Sequence, residues 1–168
     1  NDWQTALTPV YLNLYYRHLD KFSRIKTVFT IHNIQYQGKY GMEILEDVFG
    51  IPQSSRTIVE QDGCVNLMKG AIEMADKVTT VSPTYAYEIM DPWYSHGLDG
   101  LLREKAYKTC GILNGIDVND YDPSKDPQIY ANYDPYHLGG KEPCKAELQK
   151  ELGLTVDPTV PLVGIISR

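Results

Sequence analysis

Apolar positions along the chain alternate between two periods. Ala6, Leu7, Val10, Tyr11 and Leu14 recur at helical spacing, which predicts a helix over about residues 4–19. Ile25-Lys26-Thr27-Val28-Phe29-Thr30-Ile31 is β-branched and aromatic and reads as a strand. A loop from His32 to Gly41 follows, then a short helix over 42–49 stopped by Gly50 and Pro52. Residues 64–75 place Val65, Met68, Ile72 and Ala75 on one helical face. Lys77-Val78-Thr79-Thr80-Val81 is a second strand, and Ser82-Pro83 caps and opens the next helix. Residues 97–105 lead into another short helix, and Cys110-Gly111-Ile112-Leu113 is a third strand ending in the turn pair Asn114-Gly115.

The texture changes from Ile116 to His137, where Asp, Tyr and Pro dominate without a period. A charged amphipathic helix follows over 142–152, and Pro161 to Ile166 reads as a strand opening a second sheet. Strand alternating with helix predicts an α/β fold with a Rossmann-like parallel sheet covered on both faces. The expected organisation is residues 1–114 in one lobe, a linker over 115–138, and a second lobe beginning at 139–168. The chain opens without Met and closes on a strand with no crossover helix after it, so it reads as an internal piece of a longer protein.

Composition narrows the function classes. Hydrophobic content of 42% and charged content of 23% are globular values. A net charge of -6 with no basic stripe argues against nucleic acid as a partner. No apolar run approaches the roughly 20 residues of a membrane helix, and the N-terminal stretch lacks a signal-peptide pattern. Cys64, Cys110 and Cys144 are odd in number and form no CxxC pair, which suits a reducing compartment, cytoplasmic or, in a plant, plastidial. His18, His32, His96 and His137 show no metal-ligand spacing.

Ligands of open parallel sheets bind beyond the carboxyl ends of the strands. Four polar motifs fall there: His32 to Gly38, Ser82-Pro83-Thr84, Asn114-Gly115-Ile116-Asp117, and Ser167-Arg168. Any αβ loop carries polar residues for caps and turns, so each motif alone says little. Around His32, the side chains of Asn33, Gln35, Tyr36 and Gln37 both donate and accept, as sugar hydroxyls require, although a satisfied loop histidine fits the same pattern. Arg168 directly after a strand can clamp a diphosphate, although a lone arginine is more often a surface ion-pair partner. No GxGxxG or Walker A motif is present. The 13 tyrosines suit sugar-binding surfaces, and they keep open a non-catalytic carbohydrate-binding module.

Taken together, NDWQTALTPVYL, FTIHNIQYQGKY, ADKVTTVSPTYAYEI, GLDGLLRE, GILNGID and GIISR occur in an order that resembles the bacterial glycogen synthase and plant starch synthase family. The resemblance covers essentially the whole chain. It implies a two-lobed GT-B fold and glucosyl transfer from ADP-glucose to the non-reducing end of an α-1,4-glucan, with retention of configuration and without a metal or other cofactor. It places His32 beside the reacting carbon and Asn33 at the donor glucose. Asp2 and Trp3 correspond to a cleft-lining pair, with Tyr36 and Gln37 in the same loop. Asn114 corresponds to a sugar contact, and Arg168 to the arginine that neutralises the diphosphate. The family's glycine-rich lysine motif, a lysine beyond Arg168 and an acidic residue of the second lobe have no counterpart here, so the chain alone is expected to be inactive. The sequence shows no nucleophilic carboxylate in the neighbourhood of His32, so retention is expected through front-face attack. A GT-B transferase using UDP-glucose is the alternative within the enzyme class.

Overall fold

The computed structural model describes residues 1–167. The chain divides into two compact units, one spanning Asn1–Asn114 and the other beginning at Gly115. The first unit is built on a three-stranded parallel sheet of β1 (Val28–Ile31), β5 (Lys77–Thr80) and β6 (Thr109–Gly111), in the order β1-β5-β6. Val28 pairs with Lys77 and Val78 with Thr109, so the three strands start and finish nearly level. Helices α1 (Leu7–Tyr11), α2 (Leu67–Met74), α3 (Pro83–Glu88) and α4 (Asp99–Glu104) pack around it. The α/β class and parallel sheet read from the periodicity are those observed.

A second, antiparallel sheet was not foreseen. β2 (Lys39–Gly41) and β3 (Glu60–Gln61) flank β4 (Cys64–Asn66). The expected helix over 64–75 therefore starts at Leu67, because its first three residues are spent on this sheet. Asn66 caps the helix, its side chain accepting from the Lys69 N–H at 3.0 Å.

The long first helix is broken into three parts: a 3₁₀ turn over Trp3–Thr5, α1, and a π-turn over Leu12–Tyr16. Pro9 lies in α1 without an N–H, and the Asn13 side chain donates to the Pro9 carbonyl at 2.8 Å and to the Met74 carbonyl at 3.0 Å. With that carbonyl engaged from the side, the next turn widens and the Arg17 N–H reaches back five residues to the Leu12 carbonyl at 2.7 Å. α1 then crosses α2 closely at Gly70, where a Cβ would lie 2.7 Å from Val59 and 3.1 Å from Val10.

The core of the unit is formed by Val10, Phe29, Ile31, Leu45, Ile51, Val65, Met68, Ile72, Val78 and Leu102, all buried. The amino ends of the strands are fastened by charge. Asp76, just before β5, accepts from both terminal nitrogens of Arg17 (3.1 and 2.8 Å) and from the Thr27 N–H at 2.8 Å. The Arg17 guanidinium, followed by the Thr27 N–H, holds the Asp76 carboxyl well below the usual carboxylate range. Lys108, buried just before β6, donates to the carbonyls of Glu73 (2.9 Å) and Ala75 (2.7 Å), closing the C-terminal end of α2.

The second unit is held by α5 (Lys141–Glu151), preceded by turns. Cys144 donates to the Ala131 carbonyl at 3.2 Å, and the Tyr130 hydroxyl to Glu151 at 2.8 Å. Lys145 ties the following segment back through the carbonyls of Pro158 (2.9 Å) and Val160 (2.5 Å). The strand expected over 161–166 is not formed: Val163, Ile165 and Ile166 are exposed. An apolar run becomes a strand only against a neighbour that takes its N–H and C=O groups, and among the described residues none pairs with it. Arg168 lies outside the described residues.

Candidate functional site

The polypeptide leaves the carboxyl end of β1 directly into His32-Asn33, which are both exposed. Below them the first residues of the chain form a support. The Asp2 N–H donates to the Thr30 carbonyl at 2.9 Å. Its side-chain Oδ1 accepts from the N–H groups of His32 (2.8 Å) and Asn33 (3.4 Å). Asp2 adopts a φ of 50°, a left-handed conformation costly for a residue with a Cβ. The sequence offers no nucleophilic carboxylate near His32, and the carboxylate that the fold brings there is Asp2. Its Oδ1 is committed to two backbone N–H groups, which makes Asp2 an anchor of the loop.

The His32 ring Nε2 lies 3.2 Å from the Asn1 side-chain oxygen. Asn33 bends the loop by accepting the Gln35 N–H on its side chain at 2.9 Å. Ile34 is buried, and its N–H donates to the Tyr85 hydroxyl of α3 at 3.0 Å. Burial pushes the Tyr85 phenol above its ordinary value, and the Asp2 carboxylate acts in the same direction. Nothing in the spacing of Tyr85 along the sequence signals this contact.

Tyr36 is exposed beside a cavity of about 470 Å³, lined by Trp3, Gln35, Tyr36, Gln37, Gly38, Lys39, Tyr40 and His96. Trp3 packs over Gly38, where a Cβ would meet its ring at 2.7 Å, and stands edge to face with Tyr40 at 6.3 Å. Gln37, which the resemblance places in the same loop, is buried, and it spends both amide hydrogens on protein, donating to the carbonyls of Ile34 (3.0 Å) and His96 (3.2 Å).

Asp2, Trp3, His32, Asn33, Tyr36 and Gln37 are thus brought together around one loop. Asn114 is exposed three residues beyond β6, two strands across the sheet from β1, or about 10 Å at ordinary strand spacing. Ser82, at the end of β5, is taken up locally as the cap of α3, accepting the Tyr85 N–H at 2.9 Å. Among the described residues, no group of His, Cys, Asp or Glu side chains could hold a metal ion, and no helix is long and apolar enough to cross a membrane.

Comparison with known proteins gives this arrangement a context. The family model described as the starch synthase catalytic domain matches residues 1–104. The glycogen synthase of Exiguobacterium sibiricum is 46% identical over all of this chain, and that of Pseudothermotoga lettingae 48% identical, the chain spanning 35% of the length of each. Among solved structures, the catalytic domain of starch synthase IV from Arabidopsis thaliana, bound to ADP and acarbose, superposes with a TM-score of 0.73 at 37% identity. That match covers 92% of this chain and 32% of the Arabidopsis chain. The parallel α/β unit is thereby part of a GT-B fold. With 104 of its 168 residues matched by the family's own model, the chain belongs to the starch synthase catalytic-domain family of glycosyltransferases.

Proposed function

We propose that the full-length protein transfers glucose from ADP-glucose to the non-reducing end of an α-1,4-glucan, with retention of configuration. The observation that carries this reading is the loop His32–Gly38, which holds His32 and Asn33 exposed beyond the carboxyl end of a parallel strand in a chain of this family. The ADP and acarbose of the Arabidopsis relative support an adenine nucleotide donor and a glucan acceptor.

In the reaction, the bond between the anomeric carbon and the diphosphate oxygen breaks. The acceptor hydroxyl oxygen bonds that carbon from the same face, and its proton passes to the departing diphosphate oxygen. His32 stands beside the reacting carbon and the sugar hydroxyls, with Asn33 on the donor glucose. Trp3 and Tyr36 offer aromatic surface to sugar rings, and Asn114 is a further sugar contact. Arg168 neutralises the diphosphate as it leaves. The reaction needs no metal ion or other cofactor. Residues 1–114 belong to the acceptor-side lobe, 115–138 link the lobes, and 139–168 open the nucleotide-sugar lobe.

The 168 residues alone do not turn over. Transfer requires donor and acceptor to be held together, an orientation effect of about 7–11 kcal/mol of barrier, and this chain spans about a third of its relatives' length. The test is nucleotide release by the full-length protein with glycogen, offering ADP-glucose or UDP-glucose. ADP-glucose is the preferred donor, and His32→Ala lowers kcat by about 100-fold or more. Preference for UDP-glucose would make it a different GT-B transferase, and glucan binding without nucleotide release would make it a binding module.

A further inference from the structure

We propose that Asn66 and Gln37 are positioning residues for the transfer, forming a buried amide relay that holds the His32–Gly38 loop and the turn at His96 in register with the start of α2. The inference rests on the reading of that loop as the substrate-facing element.

Asn66 is fully buried and Gln37 is 3% exposed. The Asn66 oxygen accepts from the Lys69 N–H at 3.0 Å, and its amide nitrogen donates to the Gln37 oxygen at 2.6 Å. Gln37 in turn donates to the Ile34 carbonyl at 3.0 Å, within the loop, and to the His96 carbonyl at 3.2 Å, outside it. The backbone repeats the link: the Leu67 and Met68 N–H groups, in the first turn of α2, donate to the carbonyls of Gly38 (3.1 Å) and Gln37 (3.0 Å).

The orientation of each amide is dictated by its neighbours. Were the Gln37 amide turned over, its oxygen would face two carbonyls. The turn it holds carries strain at His96, a residue with a Cβ at a φ of 50°. Gln37 and His96 both line the cavity beside Trp3. A helix cap thus fixes the loop behind His32 and one wall of the adjoining cavity through a single chain of hydrogen bonds, all of whose members are satisfied.

Asn66→Asp in the full-length protein separates the two roles of Asn66. Asp is as good a cap as Asn, so α2 retains its first turn. The donor to Gln37 is lost and oxygen meets oxygen. The expected result is a fall of about tenfold or more in kcat with ADP-glucose and glycogen, with both KM values within about twofold of wild type. In hydrogen exchange, amides 34–38 lose protection while amides 69–74 keep theirs.

Gln37→Glu gives a second, independent reading. The introduced carboxyl faces two carbonyls in a buried site, which raises its pKa, and only its protonated form restores one donor. Activity relative to wild type therefore rises as the pH is lowered from about 8 to 6. Wild-type kcat with unchanged exchange at 34–38 in Asn66→Asp would overturn the proposal, as would a loss of activity matched by loss of protection in α2. If the full-length protein transfers no glucose at all, the proposed function falls, and the exchange measurement still decides the relay.

Discussion

Replacing Asp76 by Asn is expected to loosen the sheet from its amino end. Asp76 receives a two-pronged contact from Arg17 at 3.1 and 2.8 Å, the Thr27 N–H at 2.8 Å and the Thr27 hydroxyl at 3.1 Å. The carboxylate and guanidinium are each about three-quarters shielded, with side-chain exposures of 22% and 25%. The Lys26 partner is 72% exposed and carries no weight in the estimate. Hydrogen bonds to a charged group contribute about 1.5–3 kcal/mol, and the loss of several at one half-buried site is not additive, so the expected cost is about 2–3 kcal/mol. Expressed as amide exchange in β1 and β5 of the full-length protein, this is a roughly 30- to 150-fold acceleration. The pH dependence has a fixed sign. The folded carboxyl titrates below its ordinary value of 3.8, so its contribution is complete above that value and is lost as the pH falls through the folded one. The gap between wild type and Asp76→Asn is therefore full near neutrality and narrows below about pH 4. An acceleration under about threefold at pH 7, or a gap unchanged at pH 3, would refute the reasoning.

Two further substitutions, Gly38→Ala and Tyr85→Phe, probe the site from its supports, with Gly63→Ala as a control. Gly38→Ala combines a φ of +66° with a contact of 2.7 Å on the Trp3 ring, whereas Gly63→Ala has a φ of +76° and nothing within 4 Å. The first should lower kcat/KM about tenfold or more in a nucleotide-release assay, and the second should cost only about 1 kcal/mol in thermal unfolding with activity intact. Tyr85→Phe leaves the Ile34 N–H without its acceptor; it should cost about 1–3 kcal/mol of local stability, read as faster exchange at residue 34.

The parallel strands were legible because each is a short β-branched run against a turn or cap signal: Val28–Ile31 before His32, Lys77–Thr80 before Ser82-Pro83. The antiparallel sheet was not, because β3 has two residues and β2 and β4 three each, too few for a period of two to register. Asn66 read as one polar residue within a helical window; that it caps the helix, ends a strand and feeds Gln37 depends on contacts 29 residues apart. The exposed position of His32 and Asn33 follows from their place directly after a strand. The backbone contacts of Asp2 and Gln37 were not legible, because a polar side chain facing a ligand and one facing a backbone amide are alike in sequence. The run at 161–166 shows the converse: its apolar residues state a preference that only a pairing neighbour can realise.

The sheet keeps its fastenings and its exposed polar loops at opposite ends. Asp76 and Lys108 sit just before their strands, and His32 and Asn114 lie just after theirs. A protein engineer can treat these ends as separate dials. Substitutions around Arg17, Thr27, Asp76 and Lys108 change how firmly the strands are held without placing a new side chain among the loops at the other end. A library aimed at heat tolerance belongs at the amino end and one aimed at ligand preference at the other, and because β1 and β5 run between the ends each is screened for the property it is meant to leave alone.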